Sequence, residues 1–234
     1  MRTERIEWLH GITFFPVLFP VNCYLVEEEA ELTLIDAALP MSAKGILAAA
    51  DRIGKPITRI VLTHAHEDHV GALDALHTAL PEARVMISAR DARLLGGDRT
   101  LDPGEPQSPI RGGAPKGLQT RADVTLADGD RIGSLQAVSA PGHTPGSMAF
   151  LDTRTGALIA GDAFQLRGGA AVAGKIVPWF PFPAFGTWHK GLAVESARRL
   201  RDLKPSVLAV GHGRMLKQPL TAMSRAIEAA AAAL

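Results

Sequence analysis

The sequence predicts an α/β protein in which two β-sheets pack face to face and helices cover the outside. Short strand-like runs and segments with helical spacing recur in the order strands, helices, strands, helices in two halves of the chain. The 234 residues can build one sizeable core, and 47% hydrophobic with 21% charged residues is an ordinary globular composition. We therefore expect a single domain over residues 1–234.

The first half is predicted to alternate strands with helices. Residues 14–35 contain short, β-rich apolar runs that suit two or three antiparallel strands. Residues 41–53 carry apolar side chains at helical spacing, and residues 57–62 form a β-branched run too short for a helix. A further helix is expected over residues 70–80, followed by a strand at residues 84–88.

The second half repeats this order. Residues 124–140 return to short strand-like runs, and residues 148–161 are typical of a hairpin with a turn in the middle. The chain is then expected to form a helix from about 192 to 203, a strand at 207–210 and an Ala-rich helix from about 220 to 234.

Two irregular stretches interrupt these elements. Residues 95–117 are rich in Gly, Pro and Asp, and so long a loop is usually functional or mobile, which predicts a rim of the active site. Residues 168–188 carry five aromatic side chains, which predict either an apolar pocket wall or a hydrophobic plug under a loop. The five are Trp179, Phe180, Phe182, Phe185 and Trp188.

Charge and hydropathy exclude several classes of partner. Twenty-five Lys and Arg against 24 Asp and Glu give a net charge of +1, so nucleic acid is not expected to bind. No apolar run approaches the roughly 20 residues needed to span a bilayer, and Pro16 and Pro20 interrupt residues 12–26, so neither a membrane span nor an export signal is predicted.

The single cysteine bears on the compartment. Cys23 cannot form an internal disulfide, and its apolar context predicts a buried strand residue. A cytoplasmic location is the default expectation. The sequence leaves the oligomeric state open, a homodimer included.

Residues 63–69, Thr-His-Ala-His-Glu-Asp-His, form the densest group of metal-binding side chains. In an extended loop His64 and His66 can point the same way, while Asp68 and His69 turn with the following helix toward a neighbouring site. Imidazole and carboxylate ligands suit zinc, and also iron or manganese. A solvated His-rich loop is the alternative, because such tracts alone are compositional hints.

Three further candidates follow predicted strands. His143 lies in a Pro-Gly-His-Thr-Pro-Gly-Ser turn, Asp162 follows the run Leu-Ile-Ala-Gly, and His212 lies between two glycines. Each residue alone is more often an ordinary loop residue. Strand ends cluster at one edge of a sandwich, so together they predict a shared site.

With these motifs the sequence resembles the metallo-β-lactamase superfamily, whose His-x-His-x-Asp-His hallmark appears at residues 64–69. The resemblance covers about residues 22–213 and implies an αβ/βα sandwich of two mixed β-sheets with helices on the outer faces. It also implies a metal-binding groove at the edge of the sandwich that holds two Zn²⁺, with Fe or Mn as alternatives. The family's five motifs occur in order as Asp36, residues 64–69, His143, Asp162 and His212.

The resemblance also implies a role for each of these residues. It places His64, His66 and His143 on the first metal, Asp68, His69 and His212 on the second, and Asp162 between the two. Asp36 matches a position that orients ligands without binding metal.

The implied chemistry is hydrolysis by a metal-bridging hydroxide, which Asp68 or a metal orients, without a covalent enzyme intermediate. The expected substrate is a small molecule with a carboxylic ester-type bond, which is a thioester, an ester or a lactone. β-Lactamases of this superfamily generally lack the bridging Asp, so the presence of Asp162 argues against antibiotic hydrolysis. His189 is a candidate proton donor to the leaving group, while His10 and His77 are expected to be structural or surface residues.

Related activities remain as alternatives. Quorum-quenching acyl-homoserine lactonases use a tyrosine near the metals, whereas the only tyrosine here is Tyr24, in an early strand. Glyoxalase II-type thioesterases bind glutathione with an extra C-terminal helical domain, and only about twenty residues follow Gly213. RNase Z-type phosphodiesterases carry a basic RNA-binding insertion that is not visible here.

The redox alternative is an iron-dependent persulfide dioxygenase, which needs one iron on ligands of the His64, His66 and His143 type plus Asp162. Flavodiiron proteins usually replace the second histidine of the cluster by Glu, whereas His66 is intact, and no flavin domain is expected. A metal-binding domain without activity has little support, because all seven predicted ligands are present.

Overall fold

The computed structural model describes all 234 residues, and its first β-sheet has seven strands in chain order. Neighbouring strands from β1 to β4 pair antiparallel, and those from β4 to β7 pair parallel. The strands are β1 (Arg2–Ile6), β2 (Leu9–Phe14), β3 (Val21–Glu27), β4 (Leu32–Ile35), β5 (Ile57–Val61), β6 (Arg84–Ser88) and β7 (Val124–Leu126).

The second sheet has six strands and is built by the C-terminal half. They are β8 (Arg131–Ile132), β9 (Leu135–Ser139), β10 (Met148–Asp152), β11 (Ala157–Ile159), β14 (Val207–Ala209) and β15 (Leu216–Lys217). Their spatial order is β15-β14-β11-β10-β9-β8, with β11 and β14 parallel and all other pairs antiparallel. The predicted hairpin is confirmed as β10 and β11, and β12 (Phe164–Gln165) and β13 (Ala171–Val172) form a separate pair.

Seven helices accompany the sheets, and none is long and apolar enough to cross a membrane. They are α1 (Ala43–Ile53), α2 (Glu67–Val70), α3 (Leu73–Ala79), α4 (Ala89–Leu95), α5 (Phe182–Gly186), α6 (Lys190–Asp202) and α7 (Leu220–Ala231).

Three hydrophobic clusters show how these layers pack. One joins the first sheet to α1, α3 and α4, another joins the second sheet to α6 and α7, and the third lies between the two sheets. Strand β3 shows the alternation that this requires, because Cys23 belongs to the helix-side cluster and Tyr24 to the cluster between the sheets. Phe150 is fully buried between the sheets, and its truncation to Ala would cost about 3–5 kcal/mol. The predicted αβ/βα sandwich is confirmed.

The structure corrects several predicted boundaries. Strands β1, β12 and β15 and helix α4 were not expected, strand β2 begins at Leu9 before the predicted strand region, and the irregular residues 168–188 include β13 and α5. The helix predicted over residues 70–80 is broken between α2 and α3 at Gly71, where a Cβ would lie 2.6 Å from Cδ of Pro40, so only glycine fits this close approach. Gly71 instead donates its N–H to the Ala38 carbonyl at 2.8 Å, which ties the break to the loop after β4.

Candidate metal centre

The seven predicted ligands meet at one edge of the sandwich, where strands from both sheets end. Residues 63–69 run from β5 into α2, His143 follows β9, Asp162 lies in a 3-10 turn after β11, and His212 follows β14. All seven side chains are buried except that of Asp68, which is half-buried.

Their ligand atoms form three overlapping groups, each within 4.8 Å. These are His64 with His66 and His143, Asp68 with His69 and His212, and His64 with His69 and Asp162. The first two groups have the composition that the resemblance implies for the two metals. Oδ2 of Asp162 lies 3.3 Å from Nε2 of His143 and 3.2 Å from Nε2 of His212, so this carboxylate contacts both groups. That placement agrees with a bridging position, while ligation itself stays a prediction.

Hydrogen bonds fix His66 and His143 so that two lone pairs face each other. His66 Nε2 lies 3.1 Å from the Arg111 carbonyl, which only accepts, so the proton belongs on Nε2. His143 Nδ1 lies 3.1 Å from Oγ1 of Thr187, whose own proton goes to the Pro183 carbonyl at 2.7 Å. The remaining nitrogens, Nδ1 of His66 and Nε2 of His143, are therefore unprotonated and 2.9 Å apart. A cation between them would satisfy both.

One buried carboxylate orients His64 and His69 in the same way. Oδ2 of Asp36 accepts from the Thr63 hydroxyl and from Nδ1 of His69, both at 2.8 Å. Having given its proton to Asp36, the Thr63 hydroxyl accepts from Nδ1 of His64 at 3.0 Å. Asp36 therefore contacts one ligand directly and another through Thr63, as the orienting role implied by the resemblance requires.

The inward atoms of the site lack partners within the protein. His212 donates from Nδ1 to the Pro20 carbonyl at 2.7 Å, which turns Nε2 toward the carboxylates. Nε2 of His64, Nε2 of His69 and Oδ1 of Asp162 are buried without a hydrogen-bond partner. An unpaired buried polar atom costs about 1–3 kcal/mol, so three at one point fit a bound cation.

Burial keeps two of these histidines neutral. Loss of hydration lowers the pKa of His143 to about 3, and burial together with the neighbouring histidines lowers the pKa of His64. A neutral imidazole is the form that binds metal.

The other group is rich in negative charge. Burial opposes ionisation of Asp162 and Asp68, but the neighbouring histidines outweigh it and lower both carboxyl pKa values. Burial likewise opposes protonation of His212, but the charge of Asp162 outweighs it and raises its pKa to about 10; the pKa of His69 is raised by the same carboxylate. The ionised carboxylates are therefore stabilised by nearby positive charge, which either protonated histidines or a divalent metal can supply.

A cavity of about 650 Å³ opens onto the site. Its lining includes five of the predicted ligands, the aromatic residues Phe19 and Phe182, and most of residues 112–117 of the long irregular loop. The loop therefore forms part of the cavity rim, while its place in an active site stays a prediction. Lys116 is the one Lys or Arg in the lining.

Three of the five aromatic residues divide between the two predicted roles. Phe182 lines the cavity and is 52% exposed, whereas Phe180 is buried with its ring centroid 5.1 Å from that of His212, and Trp188 is buried in the core. Trp179 and Phe185 face solvent. Both interpretations therefore hold, each for different residues.

His189 has another role than the one predicted. It caps helix α6, where its Nδ1 accepts from the Leu192 N–H, and it does not line the cavity. The structure therefore gives no support to His189 as a proton donor. Sequence reasoning also missed Thr63, Thr187 and the Arg111 and Pro20 carbonyls as partners of the ligand histidines. Only Thr63, adjacent to His64, carried a signal.

Fold and site together define a metallo-hydrolase type of protein, and comparison with known proteins gives its family. The family model of the metallo-beta-lactamase superfamily matches residues 16–212. The chain belongs to the metallo-β-lactamase superfamily.

Relatives cover the chain to different extents. It is 60% identical to the uncharacterised protein YobT of Bacillus subtilis, over 98% of this chain and 99% of that protein. It is 28% identical to the probable metallo-hydrolase YflN of the same species, over 90% and 85%. Identity is 29% with the hydroxyacylglutathione hydrolase of Rhodospirillum rubrum and 28% with the human mitochondrial persulfide dioxygenase ETHE1, of which the chain spans only 57% and 51%.

Solved structures agree with the fold. A crystal structure of TTHA1623 in a di-iron-bound form superposes with a TM-score of 0.65 and 30% identity, covering 91% of this chain and 96% of that one. The DIM-1 metallo-beta-lactamase superposes with a TM-score of 0.75 over 100% and 98%, but at 15% identity this likeness concerns the fold alone.

Proposed function

We propose that this protein is a hydrolase with two metal ions that cleaves a carboxylic ester-type bond in a small molecule. The ions are two Zn²⁺, with Fe or Mn as alternatives, and the bond is a thioester, an ester or a lactone. The observation that carries the proposal is the pair of ligand groups that share Asp162 and open into one cavity. His64, His66 and His143 would hold one ion, and Asp68, His69 and His212 the other.

Two bound ions supply Lewis acidity and bring the pKa of a bound water toward neutrality. The protein supplies the positioning. Asp68, with Oδ2 3.3 Å from Nε2 of His212, lines the cavity as a carboxylate and can accept a hydrogen bond that orients the attacking water. Phe19 and Phe182 provide an apolar wall that excludes bulk water and contacts the acyl group.

The cavity lining also supports water as the nucleophile. It contains no Ser, Thr, Cys or Tyr side chain, so it lacks the hydroxyl and thiol groups that commonly act as enzyme nucleophiles. Cys23 is buried in β3, and burial raises the pKa of its thiol. This composition supports hydrolysis by water without a covalent enzyme intermediate.

Within the ester-type class, the structure bears on the lactonase alternative. Tyr24 is buried between the sheets and donates its hydroxyl to the Val210 carbonyl at 2.6 Å, and it does not line the cavity. The tyrosine-assisted mechanism of acyl-homoserine lactonases therefore lacks its residue. A thioester or simple ester is the favoured substrate, and the likeness to hydroxyacylglutathione hydrolases supports a thioester.

Persulfide dioxygenation by iron is the second candidate, favoured by the likeness to the human persulfide dioxygenase. That reaction needs a single iron. The convergence of Asp68, His69 and His212 provides a second ligand group, which supports the hydrolase.

The test is turnover by metal-quantified protein on a thioester, a homoserine lactone, an aryl ester, a phosphodiester and a β-lactam. We expect chelator-sensitive hydrolysis confined to the thioester, ester or lactone, with two metals per chain. No turnover on any of them, with one iron per chain, would replace the hydrolase by the dioxygenase.

A further inference from the structure

Residues 108–113 of the long loop form a strap over the metal centre. Ile110 packs into the core, and most of the strap's carbonyl groups accept a hydrogen bond from outside the strap. Trp188 Nε1 donates to Ser108 at 2.8 Å, the Arg99 guanidinium to Ile110 at 2.5 Å and Gly112 at 3.3 Å, His66 Nε2 to Arg111 at 3.1 Å, and the Glu67 N–H to Gly113 at 2.9 Å.

The strap contacts His66 through a glycine that no other residue can replace without strain. A Cβ at Gly112 would lie 2.2 Å from Nε2 of His66, far inside van der Waals contact, and its φ of +83° disfavours any side chain. The glycine therefore lets the strap backbone lie directly against the imidazole.

We propose that this strap orients the His66 imidazole and fixes its tautomer for binding the first metal, with Gly112 and Arg99 as positioning residues. The inference rests on the proposed function in so far as His66 is a ligand. The Arg111 carbonyl takes the proton on Nε2, which leaves the Nδ1 lone pair facing His143. Arg99 holds the strap in place, and its guanidinium makes no hydrogen bond elsewhere and no ion pair.

Dependence on the strap distinguishes His66 from the other histidine ligands. His64, His69 and His143 are oriented by buried side chains, and His212 by the Pro20 carbonyl. The outer nitrogen of His66 has no partner except the carbonyl of an exposed loop residue. Disturbing the strap should therefore weaken the first metal and spare the second.

The experiment compares zinc binding by Gly112→Ala with that by Gly97→Ala, using a competing chelator and the number of zinc ions per chain. Gly97 lies in the same loop with φ +89° and has open space around its Cβ position, so it carries the same backbone strain without the contact to His66. We expect Gly112→Ala to bind one of its two zinc ions about tenfold to a hundredfold more weakly and the other unchanged. Gly97→Ala should match the wild type.

Arg99→Ala gives a second test that introduces no backbone strain, and Arg201→Ala is its control. Arg201 bonds only to Asp202 on the surface of α6. In zinc-free protein, the nitrogen chemical shifts of His66 should show a proton on Nε2 in the wild type and in Arg201→Ala, and a mixture of tautomers in Arg99→Ala.

The outcomes separate this inference from the proposed function. Wild-type protein that binds fewer than two zinc ions would overturn the dinuclear site, and the Arg99→Ala comparison in zinc-free protein would then decide on the strap. Wild-type protein that binds two, with Gly112→Ala and Arg99→Ala equal to their controls, would overturn the strap alone. If Gly112→Ala fails to fold, Arg99→Ala decides.

Discussion

Replacing Asp36 by Asn should lower the metal affinity of both sites, because it changes which ring nitrogen carries the proton in His64 and in His69. Asp36 is buried, and its Oδ1 accepts from the Thr63 N–H at 2.7 Å while Oδ2 serves the Thr63 hydroxyl and His69. Its φ of +63° is one that Asn also tolerates, so the backbone need not move.

The orientation of the new amide follows from which partner can give up its proton. The Thr63 N–H cannot, so the amide oxygen must face it and the NH₂ group faces the hydroxyl and Nδ1 of His69. The His69 proton then moves to the inward Nε2. The Thr63 hydroxyl accepts from Asn and donates to His64, which moves the His64 proton inward as well. Each site thus loses one lone pair.

The expected magnitude is about tenfold to a hundredfold in affinity at each site, the usual effect of losing an orienting partner. Loss of hydrogen bonds to a charged group should also lower the free energy of unfolding by about 1.5–3 kcal/mol. Asp152→Asn is the control, because Asp152 is a buried carboxylate that bonds to Arg154 away from the site.

Chelator competition and denaturant unfolding measure the two effects separately. Asp152→Asn should lose stability while keeping wild-type zinc affinity. If Asp36→Asn also keeps wild-type affinity at both sites, the proton arrangement inferred for Thr63, His64 and His69 is wrong.

Three further predictions concern the site and its cavity. His66→Ala or Asp162→Ala should lower metal content and abolish hydrolysis while circular dichroism shows a folded sandwich; full activity in either variant would contradict the ligand assignment. Burial opposes protonation of His212, but Asp162 raises its pKa to about 10. This ion pair should therefore stabilise the metal-free protein fully below about pH 6.5, the ordinary histidine pKa. The stabilisation should be lost as the pH rises through about 10. Zinc affinity should rise over that same range as the competing proton leaves, and unfolding and zinc titrations across it check both signs. Phe182→Ala should raise KM for apolar acyl substrates roughly fivefold, for about 1 kcal/mol of lost contact, whereas Phe185→Ala, outside the cavity, should leave KM unchanged.

Much of the fold could be predicted because hydrophobic periodicity is local. Residues 84–88 and 148–161 formed the predicted strand and hairpin, since alternation and turn composition specify them without reference to distant contacts. Helix α4 is seven residues long and carries three charges, too short for a periodic signal, and it depends on Ser88 accepting from the Asp91 N–H.

The site divides in the same way. The spacing of His64, His66 and His69 predicted metal ligands because the three residues lie within one six-residue segment. The partners that orient them come from distant segments and often act through backbone carbonyls, such as that of Arg111, 45 residues beyond His66. A carbonyl belongs to every residue type, so no sequence pattern marks it.

The convergence of ligands from both sheets has a consequence for how the chain folds and unfolds. His64 to His69 belong to the first sheet, whereas His143, Asp162 and His212 follow strands of the second, so the full set is assembled only after the two halves dock. Metal ions that bind where the two sheets meet would bind late in folding. They would then cross-link segments almost 150 residues apart in the chain. Such a cross-link would form after the folding transition state, so it would slow unfolding more than it would speed folding. The metal content would then govern the lifetime of the native state.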